Sequence, residues 1–278
     1  MKKPVILVLL GAALIAARAD AQLFSFTTGA PDGRLATGSR PGNPSFAQIE
    51  IESADDFILS SPTQITSATF TGLLPAGLSL ATVSQVQIEI YRVFPLDSTN
   101  PPSGMVPTRV NSPSDNAFDT RNSLAGGLTF STTLLSATFT AANSIVNGIN
   151  KAPNQTTGGE GPVTGEEVQF SVNFTMPFNL PADHYFFVPQ VELLSGNFLW
   201  LSTAEPPLFT GDLQAWIRNA NLDPDWLREG TDIVGGNPAP KFNEAFSLNG
   251  TVPDSGSTAL LLGSAAVVVF YLRRRVAA

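Results

Sequence analysis

Between Gln22 and Gly250 the apolar residues recur at every second position, not at the 3.6-residue spacing of a helix. Val168, Phe170, Val172, Phe174 and Met176 alternate with Gln169, Ser171, Asn173 and Thr175. Val86, Ile88, Ile90 and Phe94 share one strand face, with Gln85, Gln87 and Glu89 on the other. Phe242, Phe246 and Leu248 repeat the pattern near the end. Further strands are expected at 47–52, 64–72, 128–140, 184–194, 197–203 and 213–218. Strands with one apolar and one polar face bury the apolar side against a second sheet. The expectation is an all-β, antiparallel β-sandwich or jelly-roll-like body. A short helix is expected only around Asn143–Ile149. Long polar loops run from Pro95 to Gly127, from Asn150 to Glu166, and through Pro206-Pro207.

A body of this size buries a core without staples, which suits a chain with no Cys. That absence excludes disulfides, thiolate metal sites and a Cys nucleophile. The whole chain carries a net charge of −8. Six of its 15 basic residues are Lys2, Lys3, Arg18 and Arg273–Arg275, whereas only two of its 23 acidic residues, Asp20 and Asp254, lie in the termini. The body therefore holds 9 basic and 21 acidic residues, a net −12. Such a body has no clustered cations for phosphate, which argues against nucleic acid and anionic membrane surfaces as partners.

Both ends carry addresses. Lys2 and Lys3 precede an apolar run, Val5–Ala17, and then Ala19-Asp20-Ala21. These are the three parts of a secretory signal peptide, 1–21, cut between Ala21 and Gln22. Signal peptidase and Sec-type export machinery are the expected partners, and the segment is expected to form a signal helix. At the other end, Thr258–Leu272 has no charged residue and is followed by Arg273, Arg274 and Arg275. Fifteen helical residues reach roughly 22 Å, short of a ~30 Å hydrocarbon core. A marginal C-terminal transmembrane helix is expected, with arginines cytoplasmic and the body outside the inner membrane. In front of it stands Val252-Pro253-Asp254-Ser255-Gly256, turn chemistry in what reads as a hinge from Asn249 to Ser257. The expected organisation is signal peptide 1–21, body 22–251 and C-terminal segment 252–278.

The order of motif, short span and Arg cluster resembles the PEP-CTERM class of sorting signals, and the Val252-Pro253-Asp254-Ser255-Gly256 spelling resembles its VPDSG variant. The resemblance covers about a tenth of the chain. It implies sorting and processing by an exosortase-like membrane enzyme, in bacteria that make exopolysaccharide and biofilm. Glu52-Ser53-Ala54-Asp55-Asp56-Phe57, followed by Ile65–Phe70, resembles the strand start of many secreted PEP-CTERM proteins and implies no activity.

Catalytic chemistry is sparse. The one histidine, His184, sits beside Asp183 at the start of Tyr185-Phe186-Phe187-Val188, where a structural role is expected. No Gly-x-Ser-x-Gly elbow is present. Asp55-Asp56, Glu166-Glu167 and Asp223-x-Asp225 are carboxylate pairs of the kind a glycosidase uses, and are expected to be solvated turn residues. Adjacent strand residues point to opposite faces, so Asp55 and Asp56 do not share a substrate. Asp212, Asp223, Asp225 and Asp232 are calcium-ligand candidates; no EF-hand spacing links them, and no cofactor is otherwise implied. Trp200 and Trp216 are expected in the core, and Trp226 exposed as a sugar-stacking candidate.

The chain is thus expected to be a non-catalytic exported surface or matrix protein. The alternatives are a carbohydrate- or calcium-dependent adhesin and a polysaccharide-active hydrolase.

Overall fold

A computed structural model describes residues 22–78, 80–94, 106–149, 156–204 and 211–253. The expected signal helix and transmembrane helix lie outside the described residues. Among those described, no helix is long and apolar enough to cross a membrane.

The strands are β1 (Gln22–Thr27), β2 (Pro31–Gly38), β3 (Ile51–Leu59), β4 (Thr63–Leu74), β5 (Val83–Arg92), β6 (Asp119–Asn122), β7 (Leu128–Ala141) and β8 (Asn143–Ile145). After these come β9 (Val163–Leu180), β10 (Asp183–Leu193), β11 (Leu199–Thr203), β12 (Trp216–Asn219), β13 (Leu227–Arg228), β14 (Asn243–Glu244) and β15 (Phe246–Val252). Nine strands form one sheet, along the path β1-β15-β4-β11-β2-β8, with β9 on β4, β7 on β9 and β14 on β11. Six form the other, in the order β13-β12-β3-β10-β5-β6. Every pairing between named strands is antiparallel except β2 with β8.

The period-two faces meet between the sheets. Phe57, Val86, Ile88, Tyr185 and Phe187 from the six-stranded sheet join Phe70, Phe170, Val172, Trp200 and Phe246 from the nine-stranded one in a single core. Phe187 stacks on Phe246 at 5.0 Å, and Phe70 on Phe170 at 4.9 Å. Gly72 is required by this packing, because a Cβ there would sit 2.2 Å from the Phe198 ring and 2.5 Å from the Leu199 carbonyl.

Two expectations about local structure are corrected. Asn143–Ile149 is not a helix: Asn143–Ile145 is β8, lying parallel to Leu35–Thr37. The reason lies in the donors. The backbone N–H groups of Val146, Asn147 and Gly148 all reach the Glu160 carboxylate, and those of Ser144 and Gly161 reach the Asn143 side chain. These side chains take donors that a helix would spend on its own carbonyls. The expected strand at 47–52 begins only at Ile51, because Pro44–Phe46 is a 3-10 turn capped by Asn43. Ala47 follows it in the left-handed region, with φ of 52°.

Candidate functional site

The C-terminal motif grows directly out of the body. Asn249–Val252 is not a hinge but the second half of β15, because Leu248 is anchored in the core and the ladder continues beyond it. Thr251 and Gly250 pair with Gln64 and Ile65 of β4. On the other side Val252 pairs with Gln22, the expected first residue after signal cleavage, and Thr251 with Leu23. Gly250 admits no side chain, since a Cβ would lie 2.1 Å from the Gln64 carbonyl oxygen. Pro253 lines a shallow cavity of about 270 Å³ with Pro62, Thr63, Gln64, Asn179, Leu180 and Pro181. Of the remaining expected address residues, Asp254, Ser255, Gly256, Arg273, Arg274, Arg275, Ala19 and Ala21 lie outside the described residues.

The chemical candidates are dispersed. His184, in β10 opposite Ile58, shares a 2.5 Å hydrogen bond between Nε2 and Asp56 Oδ2. Asp56 Oδ1 accepts from the Leu213 backbone N–H at 3.0 Å. Burial raises the Asp56 carboxyl above its ordinary range, against the opposing His184 bond. Asp55 and Asp56 point to opposite faces, but neither is solvated: each is 1% exposed. Asp55 faces the space between the sheets, where Oδ2 accepts from the Glu244 backbone N–H at 2.8 Å.

Around Asp55 lies a group of acids that sequence reasoning did not single out. Glu229 and Glu244 are completely buried. Thr37, Ser53 and Glu244 side chains face Glu229, yet neither Glu229 oxygen meets a donor in good geometry among the described residues. Burial pushes Glu229 up to about 8. Burial, then the neighbouring Glu229 charge, raises Glu244 well above the carboxylate range. Burial, then Asp56, does the same to Asp55. Two buried like charges this close favour the protonated form. Nothing in the local spacing marks Glu229 or Glu244, because they come together only through the π-helical turn Glu229–Val234 and the short β14.

The four calcium candidates are held apart by partners of their own. Asp212 accepts from Asn243 Nδ2 at 3.0 Å, and Asp223 accepts from Arg218 at 2.8 Å. Asp225 pairs with Arg109 at 3.1 Å and Asp232 with Arg228 at 2.7 Å. Among the described residues, no group of three or more His, Cys, Asp or Glu side chains is disposed to hold a metal ion.

Trp226 is also corrected. It is fully buried, with the Arg218 guanidinium 4.4 Å over its ring and Tyr91 edge-on at 5.4 Å. A cation desolvated over an aromatic face explains why the ring is covered. Trp200 and Trp216 are core residues, as expected. Glu166 and Glu167 are not turn residues: they lie within β9, opposite Leu74 and Leu73 of β4, and Glu166 accepts from the Gly77 N–H at 3.1 Å.

The geometry leaves the end of β15 as the place where sequence pattern and structure converge on one function. No curated protein and no solved structure matches the chain. Residues 251–276, however, match the family model of the VPDSG-CTERM motif, so this exported chain ends in a PEP-CTERM-class exosortase sorting signal.

Proposed function

We propose that the chain is a non-catalytic protein of the cell surface or extracellular matrix, associated with exopolysaccharide. Signal peptidase frees Gln22, the C-terminal helix holds the protein at the inner membrane, and an exosortase-type enzyme processes the tail. In this reading the two sheets form a β-sandwich that serves as an interaction body. The observation that carries it is the sorting motif at 251–276, set at the very end of a core strand. The non-catalytic reading is supported by the single His being bound to Asp56, by the Arg partners of Asp223, Asp225 and Asp232, and by the burial of the Asp55, Glu229 and Glu244 group away from any substrate. A hydrolysis assay on the host's exopolysaccharide that gives turnover by the purified body would refute it.

The deciding experiment follows the C-terminal mass and the location of the protein in hosts with and without the exosortase. The expected result is a trimmed C-terminus and surface release only when both the enzyme and residues 253–278 are present. An intact C-terminus in both hosts would make the tail a plain membrane anchor.

A further inference from the structure

We propose that the end of the body formed by Pro62–Gln64, Asn179–Ala182 and Gln22 is a docking surface for the exosortase-type enzyme. The proposal rests on the sorting reading above and adds that the folded body is itself part of what the enzyme contacts.

The first argument is reach. The described chain ends at Pro253, and the uncharged stretch begins at Thr258. Five peptide steps separate them, no more than about 3.6 Å each, or roughly 18 Å in all. An enzyme working at the membrane on this motif has no room to do so away from the body. The second argument is the N-terminal tether. Gln22 and Val252 are register partners on adjacent antiparallel strands, so both chain ends leave the body at one point. The apolar run of the signal peptide ends at Ala17, again five steps from Gln22. Both membrane-directed segments are thus held within about 5 Å of each other where they leave the sheet. The body can fold with either tether still in place, and that same end faces the bilayer both before and after signal cleavage.

The third argument is the motif itself. Two of its five residues belong to the body: Val252 is in the ladder and Pro253 lines one cavity with Pro62, Leu180 and Pro181. An enzyme that grips the motif from Val252 to Gly256 touches the rim around Pro253. That rim is exposed at Pro62, Asn179, Pro181 and Ala182, and its polar groups are largely uncharged amides and hydroxyls. Leu23, on the neighbouring edge strand, is 84% exposed.

The test uses the full chain in the host with its exosortase, reading C-terminal trimming by mass against time. Asn179→Arg and Ala182→Arg each place a long cation on the rim without touching the motif. Each is expected to slow trimming about tenfold, the scale of a central contact residue in an interface. Asn179→Arg removes the hydrogen bond from Gln64 Nε2 at 3.0 Å, whereas the Ala182 methyl group holds none, so the second variant stands if the first unfolds. The melting temperature of each purified body checks this. A spacer of twelve Gly and Ser residues between Thr251 and Val252 adds about 20 Å of flexible reach. With the spacer, both Arg variants are expected to be trimmed as fast as the spacer chain alone. Trimming of both variants at the wild-type rate, or a deficit unchanged by the spacer, overturns the docking surface while leaving the sorting signal intact. A wild-type chain that is never trimmed overturns both.

Discussion

The two faces of the six-stranded sheet are both largely covered, by different means. The inner face, carrying Phe57, Ile88, Tyr185 and Phe187, packs on the aromatic side chains of the other sheet. The outer face, carrying Glu52, Asp56, Tyr91 and Arg218 beside Phe186, Val188 and Trp216, lies under residues such as Asp115, Ala117, Leu213 and Trp226. There Arg218 donates to Glu52, to Asp223 and to the Tyr91 hydroxyl at 2.9 Å, and Arg109 pairs with Asp225 while covering the Phe94 ring at 4.3 Å. One face is held by area removed from water alone; the other adds, to an apolar cluster of Ala54, Phe186, Val188, Trp216 and Trp226, charges that must find each other. The comparison teaches that an alternating strand reports which side is apolar, not which side is wet. A polar residue is covered too when matching cations reach it, as Arg218 does from the neighbouring strand β12 opposite Glu52 and Arg109 does from the chain laid over the sheet.

The inner face should fail the hardest. Phe187 contacts Phe246, Trp200 at 6.0 Å and Phe70 at 6.4 Å. Phe187→Ala leaves a cavity among rings that cannot collapse into it. The expected loss is about 3–5 kcal/mol in chemical unfolding. A loss under about 1 kcal/mol would mean that the two sheets do not share this core.

The outer face should respond to how it is cut. Arg218→Met leaves Glu52 buried without its cation, an expected cost of about 3 kcal/mol. Glu52→Leu combined with Arg218→Met removes both charges and should recover most of that loss, since a buried pair is often no better than apolar residues of similar volume. A double mutant no more stable than the single would show that the remaining groups, Tyr91, Glu89 and Asp223, depend on Arg218 independently of Glu52. Burial, then the Glu52 charge, pushes Glu89 up to about 8, so this network already carries more acid than cation.

The acids between the sheets break the comparison, being ionisable groups on the apolar side. The Glu229 carboxyl is faced by Glu244, with Asp55 and Asp32 beyond it, and by no cation within the group. Its folded value of about 8 lies above its ordinary value of 4.5. The folded state therefore binds the proton more tightly, and the stabilisation is complete below pH ~4.5 and lost as pH rises through about 8. One such proton gives a slope of about 1.4 kcal/mol per pH unit across that window. Glu229→Gln keeps the shape and removes the titration. Its melting temperature should fall less steeply than the wild type's between pH 5 and 8. Parallel curves would mean that the burden rests on Glu244 or Asp55 instead.

What the sequence discloses divides along the same line. β5, β9 and β15 are legible because their inner residues are large and their outer ones mostly polar, and β10 because Tyr185–Val188 is a continuous apolar run, buried on both faces. β1 and β2 are not: Gln22–Thr27 has two inward aromatics, Phe24 and Phe26, in a short edge strand, and Pro31–Gly38 contains Pro and Gly. The C-terminal motif is legible because it is linear and local. Its attachment to Gln22 is not, since strand pairing across more than 200 residues leaves no mark in either segment. Trp226 and Asp225 read as a turn; Asp225 closes one on Leu222 and Trp226 follows it, and what hides them is the covering by Arg218 and Arg109, whose positions in the chain lie 8 and 116 residues away from Trp226 and Asp225 respectively.

The smallest effect belongs to a pair that resembles the buried ones on paper. Arg92 and Asp183 approach to 3.4 Å, but each side chain is 45% exposed. Water screens both charges in the unpaired state as well as in the pair, and ordering two side chains offsets part of the gain. Asp183→Asn also retains an oxygen able to accept from the His184 backbone N–H, as Asp183 Oδ1 does at 2.9 Å. The expected loss is under about 1 kcal/mol, and it should shrink further in high salt. The same change of one carboxylate to an amide at Asp225, which is fully buried against Arg109, should cost more and resist salt. Equal costs at the two sites would mean that the loops over the outer face admit water, and that the charges there are held no more firmly than those at the rim.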